Sequence, residues 1–133
     1  MRRNTVLVNR FKITQLATIN SWLFKHGMTP VPVSEIPEFG FIVYGDEGKA
    51  VAAAFLRRCE GNLGIFDSMV TDPDARGPAR HEALEALVDA ILKAAHGLKM
   101  TRVMAITRHP SIVERGKSHG FERQALTVMT LEL

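Results

Sequence analysis

The segment Asp72-Pro73-Asp74-Ala75-Arg76-Gly77-Pro78-Ala79-Arg80 gathers the residue types best suited to chemistry in this chain. It follows a strand-like run, Leu63 to Thr71, and precedes a long amphipathic pattern. There Leu84, Leu87, Val88, Ile91, Leu92 and Ala95 recur at three- and four-residue steps, while Glu82, Glu85, Asp89 and Lys93 take other faces. That spacing predicts a helix. A strand entering a helix through a turn with arginine and glycine leaves main-chain N–H groups pointing outward, and their partial positive charge suits a phosphate. Arg76 and Arg80 can add mobile cations. Gly77, Ala79, Arg80, His81 and Glu82 can add backbone donors.

Pro78 cannot donate, which removes one hydrogen bond to a charged group, worth about 1.5–3 kcal/mol. Its fixed φ nevertheless suits the first turn of a helix. The plainer reading is a helix entry with a proline start, two solvated arginines and an exposed His81. His81 and Glu85 stand four apart on one helical face, but no third ligand follows at helical spacing, so no metal is expected.

The elements around this turn must position it. Thr5 to Asn9 reads as a first strand, and Phe11 to His26 as a helix with Leu16, Ile19, Leu23 and Phe24 on its apolar face, capped by Gly27. Met28 to Pro37 holds three prolines and reads as a loop. Phe39 to Tyr44 and Ala50 to Arg57 are strands joined across Gly45 to Lys49, a hairpin pattern. Glu60-Gly61-Asn62 turns into the strand at Leu63. After Gly97 comes Thr101 to Ile106, a buried-looking strand; Pro110 opens a short helix closed by Gly120, and Arg123 to Leu131 reads as a last strand. The order β-α-β-β-β-α-β-α-β implies a mixed α/β sheet with helices on both faces. Residues 1–133 form one expected domain, without repeats or linkers.

Composition narrows the class. Hydrophobic residues make up 46% of the 133, enough for a core of its own. The charge of +3, from 17 Lys plus Arg against 14 Asp plus Glu, suits an anionic small ligand as well as nucleic acid. Cys59 is the single cysteine, so no intrachain disulfide forms, and it reads as a strand-end residue with no histidine nearby in sequence. Met1-Arg2-Arg3 is basic, but Asn4 to Arg10 is too short and interrupted for a signal core. No run approaches the ~20 apolar residues of a membrane span. A cytoplasmic protein is expected.

The wording of the turn resembles the GCN5-related N-acetyltransferases, the GNAT superfamily. Val70-Thr71-Asp72-Pro73 matches the family's Val-x-Pro-like strand end. Arg76-Gly77-Pro78-Ala79-Arg80-His81 matches its Arg/Gln-x-x-Gly-x-Gly/Ala signature in part: Ala79 replaces the first signature glycine and His81 the second small residue. The element order is also that of the family, and the likeness spans nearly the whole chain, most specifically Gly64 to Phe121. The resemblance implies that the turn holds the pyrophosphate of acetyl-CoA and that acetyl passes to an amine, on a small molecule or a protein, by direct attack. It also implies that the preceding strand splays from its parallel neighbour. Ser68, Met69 and Val70 then line the pantetheine arm, with the Met69 N–H as oxyanion donor.

An amine arrives protonated and needs a base. Asp67 is the best-placed carboxylate and Glu60 the second; in a cleft lined by Phe66 and Met69, Asp67 would be tuned for that role. Its plainer reading is a solvent-facing strand residue. The family's tyrosine, four residues before the Gly-Phe pair, falls on Gly116 here, with Ser111, Ser118 and His119 as nearby stand-ins. Twelve residues follow Phe121, room for one strand where the family commonly has two. A reduced sheet exposes an edge, and pairing of two copies is one way to cover it. The alternative function is a catalytically weak or inactive relative that keeps the fold for binding or structure. Nucleic-acid binding is disfavoured: Arg102, Arg108, Arg115 and Lys117 offer charge, but aromatics are only 7% and no stacking platform is evident.

Overall fold

Strand propensity and the two hairpin turns organise the middle of the chain. The computed structural model describes residues 6–107 and 109–133. Met1 to Thr5, including the basic start and the expected first residue of the first strand, lie outside the described residues, as does Arg108. The elements are β1 (Leu7–Arg10), α1 (Leu16–Lys25, preceded by a 3-10 turn at Ile13–Gln15), β2 (Phe39–Tyr44), β3 (Ala50–Arg58), β4 (Leu63–Thr71), α2 (Gly77–Gly97), β5 (Arg102–Ala105) and α3 (Pro110–Ser118). The strands lie in sequence order, β1-β2-β3-β4-β5. The first three pairings are antiparallel, and β4–β5 is parallel through the α2 crossover.

Each face of the sheet carries one helix. α2 covers the face of Val43, Leu56 and Phe66 with its own Ala83, Leu87, Val88, Ile91 and Ala95. α1 covers the opposite face, packing Ile19, Trp22 and Leu23 on Ile42, Ala53, Phe55 and Val70. Full burial of each large side chain contributes about 1.5–3 kcal/mol. Gly40 is required by this packing: a Cβ there would stand 2.5 Å from the Phe55 ring. Gly27, at φ +75°, ends α1 as expected, with the Met28 N–H donating to Leu23 O at 2.8 Å.

Three expectations need correction. Phe24 is 74% exposed, and Trp22 takes its place in the core, because the stripe through Leu16, Ile19 and Leu23 leaves Phe24 about 100° off the buried line. The strand expected at Thr101–Ile106 is shorter and has no buried residue; it sits at the end of the sheet, where only β4 flanks it. Arg123 to Leu131 forms no strand: residues 121–133 have no regular structure, and residues 122–133 are exposed. Among the described residues no helix is long and apolar enough to cross a membrane.

Candidate functional site

The strand β4 changes character halfway along. Phe55 pairs with Asp67 and Ala53 with Val70, so Ala54 alone opposes Ser68 and Met69. This is a β-bulge, and Ser68 takes φ +54°, the left-handed conformation that a G1-type bulge uses. The extra residue shifts the alternation of faces. Phe66 and Met69 both pack on the α2 side, whereas Val70 joins the α1 side.

The parallel ladder ends at the same point. Its last register pair is Phe66 with Ala105, and β4 runs on through Thr71 without β5 beside it. Main-chain groups of Asp67 to Thr71 that point away from β3 therefore face a gap between the strands. Ser68, Met69 and Val70 all border that gap.

Asp67 stands directly across from Phe55 and so lies on the α1 face, not in a cleft with Phe66 and Met69. Alternation sets Asp67 opposite its neighbour Phe66, and the bulge that follows puts Met69 on the Phe66 side as well. Arg57 donates to Asp67 Oδ2 from Nη2 at 2.9 Å and from Nε at 3.2 Å, and also to the Glu35 carbonyl at 3.0 Å. Ser68 Oγ donates to Asp67 Oδ1 at 3.1 Å. Glu60 lies in the turn before β4, at the far end of that strand from the bulge.

Beyond Thr71 the chain turns on Asp72, which is 8% exposed. Its N–H donates to Val51 O at 2.7 Å, its Oδ1 accepts the Asp74 N–H at 2.9 Å, and its carbonyl accepts the Ala75 N–H at 3.0 Å. This rigid Asx-type turn delivers Arg76 in extended conformation (φ −75°, ψ 153°) as the N-cap of α2, with no side-chain cap. The first helical bond is Arg80 N–H to Arg76 O at 2.8 Å.

That bond corrects the donor set. The main-chain N–H of Arg80 is spent within the helix, and those of His81 and Glu82 fall in the helical ladder beyond it. The first turn offers the N–H groups of Gly77 and Ala79, with Pro78 between them silent. Arg76, Gly77, Ala79 and Arg80 are all exposed at the start of a 21-residue helix. Two uncapped donors, two guanidinium groups and a long aligned helix favour an anion.

His81 is turned elsewhere. Arg115 Nη1 donates to His81 Nδ1 at 3.2 Å and to Glu85 Oε1 at 2.6 Å, and His119 Nε2 lies 2.5 Å from Glu85 Oε2. His119 Nδ1 is 3.9 Å from Asp89. Residues 81, 85 and 89 form a four-step stripe on α2, and 115 and 119 a matching stripe at the end of α3. Burial pushes the Glu85 carboxyl up, but the hydrogen bonds and charges of His119 and Arg115 together outweigh it and hold it below the usual carboxylate range. The His81–Glu85 pair thus belongs to a clamp between helices, and no metal-binding group of three occurs among the described residues. Complementary four-residue spacing was the signal for this clamp; nothing local says which two helices meet.

A shallow cavity of about 220 Å³ also touches Arg76, Pro78 and Ala79, but its other walls are Val6, Gly45, Asp46 and Glu82. It opens toward the β2–β3 turn, and two carboxylates on its rim oppose an anion. The gap beside β4 is the chemically apt side. Gly116 lies on α3 with Phe121 folded over it: an added Cβ would meet the Phe121 Cβ at 3.5 Å, an ordinary contact.

No protein-family model matches this sequence, and no curated protein matches it. Solved structures do. A GNAT-family acetyltransferase from Staphylococcus aureus superposes with a TM-score of 0.69 at 10% identity, covering 97% of this chain and 94% of that one. A Mycobacterium tuberculosis protein in complex with CoA and NLQ gives 0.70 at 22% identity, covering 91% of this chain and 76% of that one. Aminoglycoside N-acetyltransferase AAC(6')-Iy in complex with CoA gives 0.66 at 11%, covering 98% and 97%. At such identities the likeness shows the fold: a five-stranded mixed sheet in the GNAT acetyltransferase arrangement.

Proposed function

We propose that this GNAT-fold chain binds acetyl-CoA at the β4–α2 mouth and transfers the acetyl group to an amine by direct attack in a ternary complex. One observation carries the reading: the strand gap opened by the bulge leads straight into an uncapped helix start flanked by Arg76 and Arg80. The donor chemistry fits a diphosphate, and the gap beside Ser68 to Val70 fits an extended polar arm that needs main-chain partners. Two solved neighbours with this fold contain CoA, which supports the same ligand here.

Acetyl-CoA, when bound, supplies an acetyl thioester. The chain's own residues do the rest. Gly77 and Ala79 N–H groups, with Arg76 and Arg80, hold the diphosphate. The Met69 N–H, fixed by the bulge, is the donor assigned to the thioester oxygen, where it stabilises developing negative charge without reorganisation. Asp67 is the carboxylate assigned to the acceptor's proton. Arg57 occupies Oδ2, so Oδ1, bonded to Ser68, is the oxygen that takes it. The amine nitrogen gains the acetyl carbon as the C–S bond breaks. Gly116 offers no acid to the departing thiolate, which with a pKa of ~8.5 leaves tolerably as the anion.

A second reading, a binding or structural protein with this fold and little catalysis, draws on two observations. Gly116 lacks a side chain where the family carries tyrosine, and Asp67 is already ion-paired with Arg57 at 2.9 Å. In both readings a cytoplasmic location is proposed from the cysteine usage.

Calorimetric titration with acetyl-CoA tests the shared premise. Binding by the wild type that is lost in the Arg76→Ala, Arg80→Ala double variant supports the site; no heat at millimolar ligand removes it. Release of free thiol with a panel of amines then separates enzyme from binder.

A further inference from the structure

We propose that the outer edge of β1 and the basic groove beside it take an extended acidic segment of a partner protein as an added strand. β1 pairs with β2 alone, and among the described residues no strand lies on its other side. The parity of that pairing is fixed. Phe11 N–H donates to Gly40 O at 2.8 Å, one step beyond the Arg10–Phe41 register pair. Bonded and non-bonded pairs alternate along an antiparallel ladder, so Leu7 and Asn9 are the residues that bond to β2. The N–H and C=O groups of Val8 and Arg10 therefore point outward and offer a ladder to a neighbouring chain.

A groove of about 380 Å³ accompanies this edge on the α2 face. Val8 to Arg10 form one wall, Ala90, Lys93 and Ala94 of α2 the other, and Phe41 lies between them. Its two charged side chains are both cations. The Arg10 guanidinium stands 5.3 Å from the centre of the Phe39 ring and 5.7 Å from that of Phe41, which holds it on the α2 side. Its hydrogen bond goes to a main-chain oxygen, Glu38 O, at 3.4 Å. Among the described residues neither Arg10 nor Lys93 forms an ion pair. A chain laid along β1 thus meets main-chain partners at the edge, apolar surface at the base of the groove and two cations at its rim. Strand addition uses this combination: main-chain bonds supply affinity, and alternate side chains supply choice.

The chemistry of the occupant follows from its cross-strand neighbours. Antiparallel pairing is the more stable direction. In it, an acidic residue suits the place opposite Arg10, and apolar β-branched residues suit those opposite Val8 and Leu7, the latter 59% exposed. The segment then reads acidic, polar, apolar, apolar, as in Glu-Thr-Val-Val. A second copy of β1 is a poor occupant. A two-fold axis at this edge would gather both Arg10 and both Lys93 side chains, with no carboxylate lining either groove. β2 and β3 separate β1 from β4, so the inference stands apart from the coenzyme reading.

Nuclear magnetic resonance titration of the full chain with the end-blocked peptide Thr-Glu-Thr-Val-Val-Thr reads this edge residue by residue. In the free chain the amides of Val8 and Arg10 should exchange with solvent faster than those of Leu7 and Asn9. Saturating peptide should slow both about tenfold or more. N-methylation of the peptide's Glu and first Val, the residues opposite Arg10 and Val8, should abolish binding by removing the facing donors. Lys in place of that Glu should weaken binding roughly tenfold, and Arg10→Glu should reverse the preference. Lys93→Glu, an exposed change outside β1, should weaken the acidic peptide without lowering Tm. Failure to bind at millimolar peptide, binding indifferent to N-methylation, or a charge preference unmoved by Arg10→Glu and Lys93→Glu would each overturn the proposal. So would protection of the Val8 and Arg10 amides in the free chain that rises with protein concentration, the mark of a second copy at this edge.

Discussion

Residues up to Ala95 and residues beyond it are held in different ways. Every buried hydrophobic residue lies in the first region, from Ile19 to Ala95, and among the described residues of the second region none is buried. The first region is a sheet clasped between two helices. The second, comprising β5, α3 and the C-terminal segment, is held by a four-pair parallel ladder, by the half-buried Leu98, Met100 and Val103 against the α2-face core, and by the Arg115–Glu85–His119 clamp. The buried core and the β4–α2 turn therefore lie in the first region, while the second supplies the far side of the gap and stays open on its outer edge.

Substitutions can break that contrast. Leu87→Ala, at a fully buried position, should cost about 2–5 kcal/mol and lower Tm markedly, whereas Ile112→Ala on half-buried α3 should cost about 1 kcal/mol or less. Equal losses in thermal or denaturant unfolding would abolish the distinction. Gly40→Ala comes next: with its Cβ driven into the Phe55 ring, it should destabilise by about 1–3 kcal/mol. A neutral result in the same assay would mean that the ring can move aside.

Smaller effects sharpen the picture of the second region. Gly116→Tyr should raise amine-dependent thiol release about tenfold or more if an acid is what this helix lacks. It should also stabilise α3 modestly, since glycine is the poorest non-proline helix former. Unchanged turnover with intact coenzyme binding would favour the non-catalytic reading. Glu85→Gln is expected to cost about 1 kcal/mol or less, as partly exposed ion pairs do. The sign of its pH dependence is set: the Glu85 carboxyl is held below its ordinary range in the folded state, so its contribution is present above the unfolded-state value and is lost as pH falls through the folded one. Acid titration of unfolding should show this loss in the wild type and less of it in Glu85→Gln. Hydrogen exchange in α3 should quicken in step.

The sequence was legible wherever spacing is local. The hairpin from Phe39 to Arg58, the strand from Leu63 to Thr71 and the long helix after it all form as their periodicities imply. It misled where one residue changed the count. The bulge at Ser68 and Met69 moves Met69 to the α2 face and Val70 to the α1 face, against simple alternation, and no residue type announces it. The main-chain N–H groups from Arg80 onward bond within the helix because it begins at Gly77, one residue after the extended Arg76. Arg123 to Leu131 has the composition of a strand without a neighbour to pair with, since strands, unlike helices, take their hydrogen bonds from elsewhere.

Composition and periodicity by themselves determined the kinds of element and their order, because propensity and amphipathic spacing act within a few residues. Only the tertiary structure decided which faces Met69 and Val70 occupy, where β4 parts from β5, and that His81 and Glu85 meet Arg115 and His119. Those outcomes depend on contacts between segments thirty or more residues apart or on a register shift between strands, and no local signal encodes either.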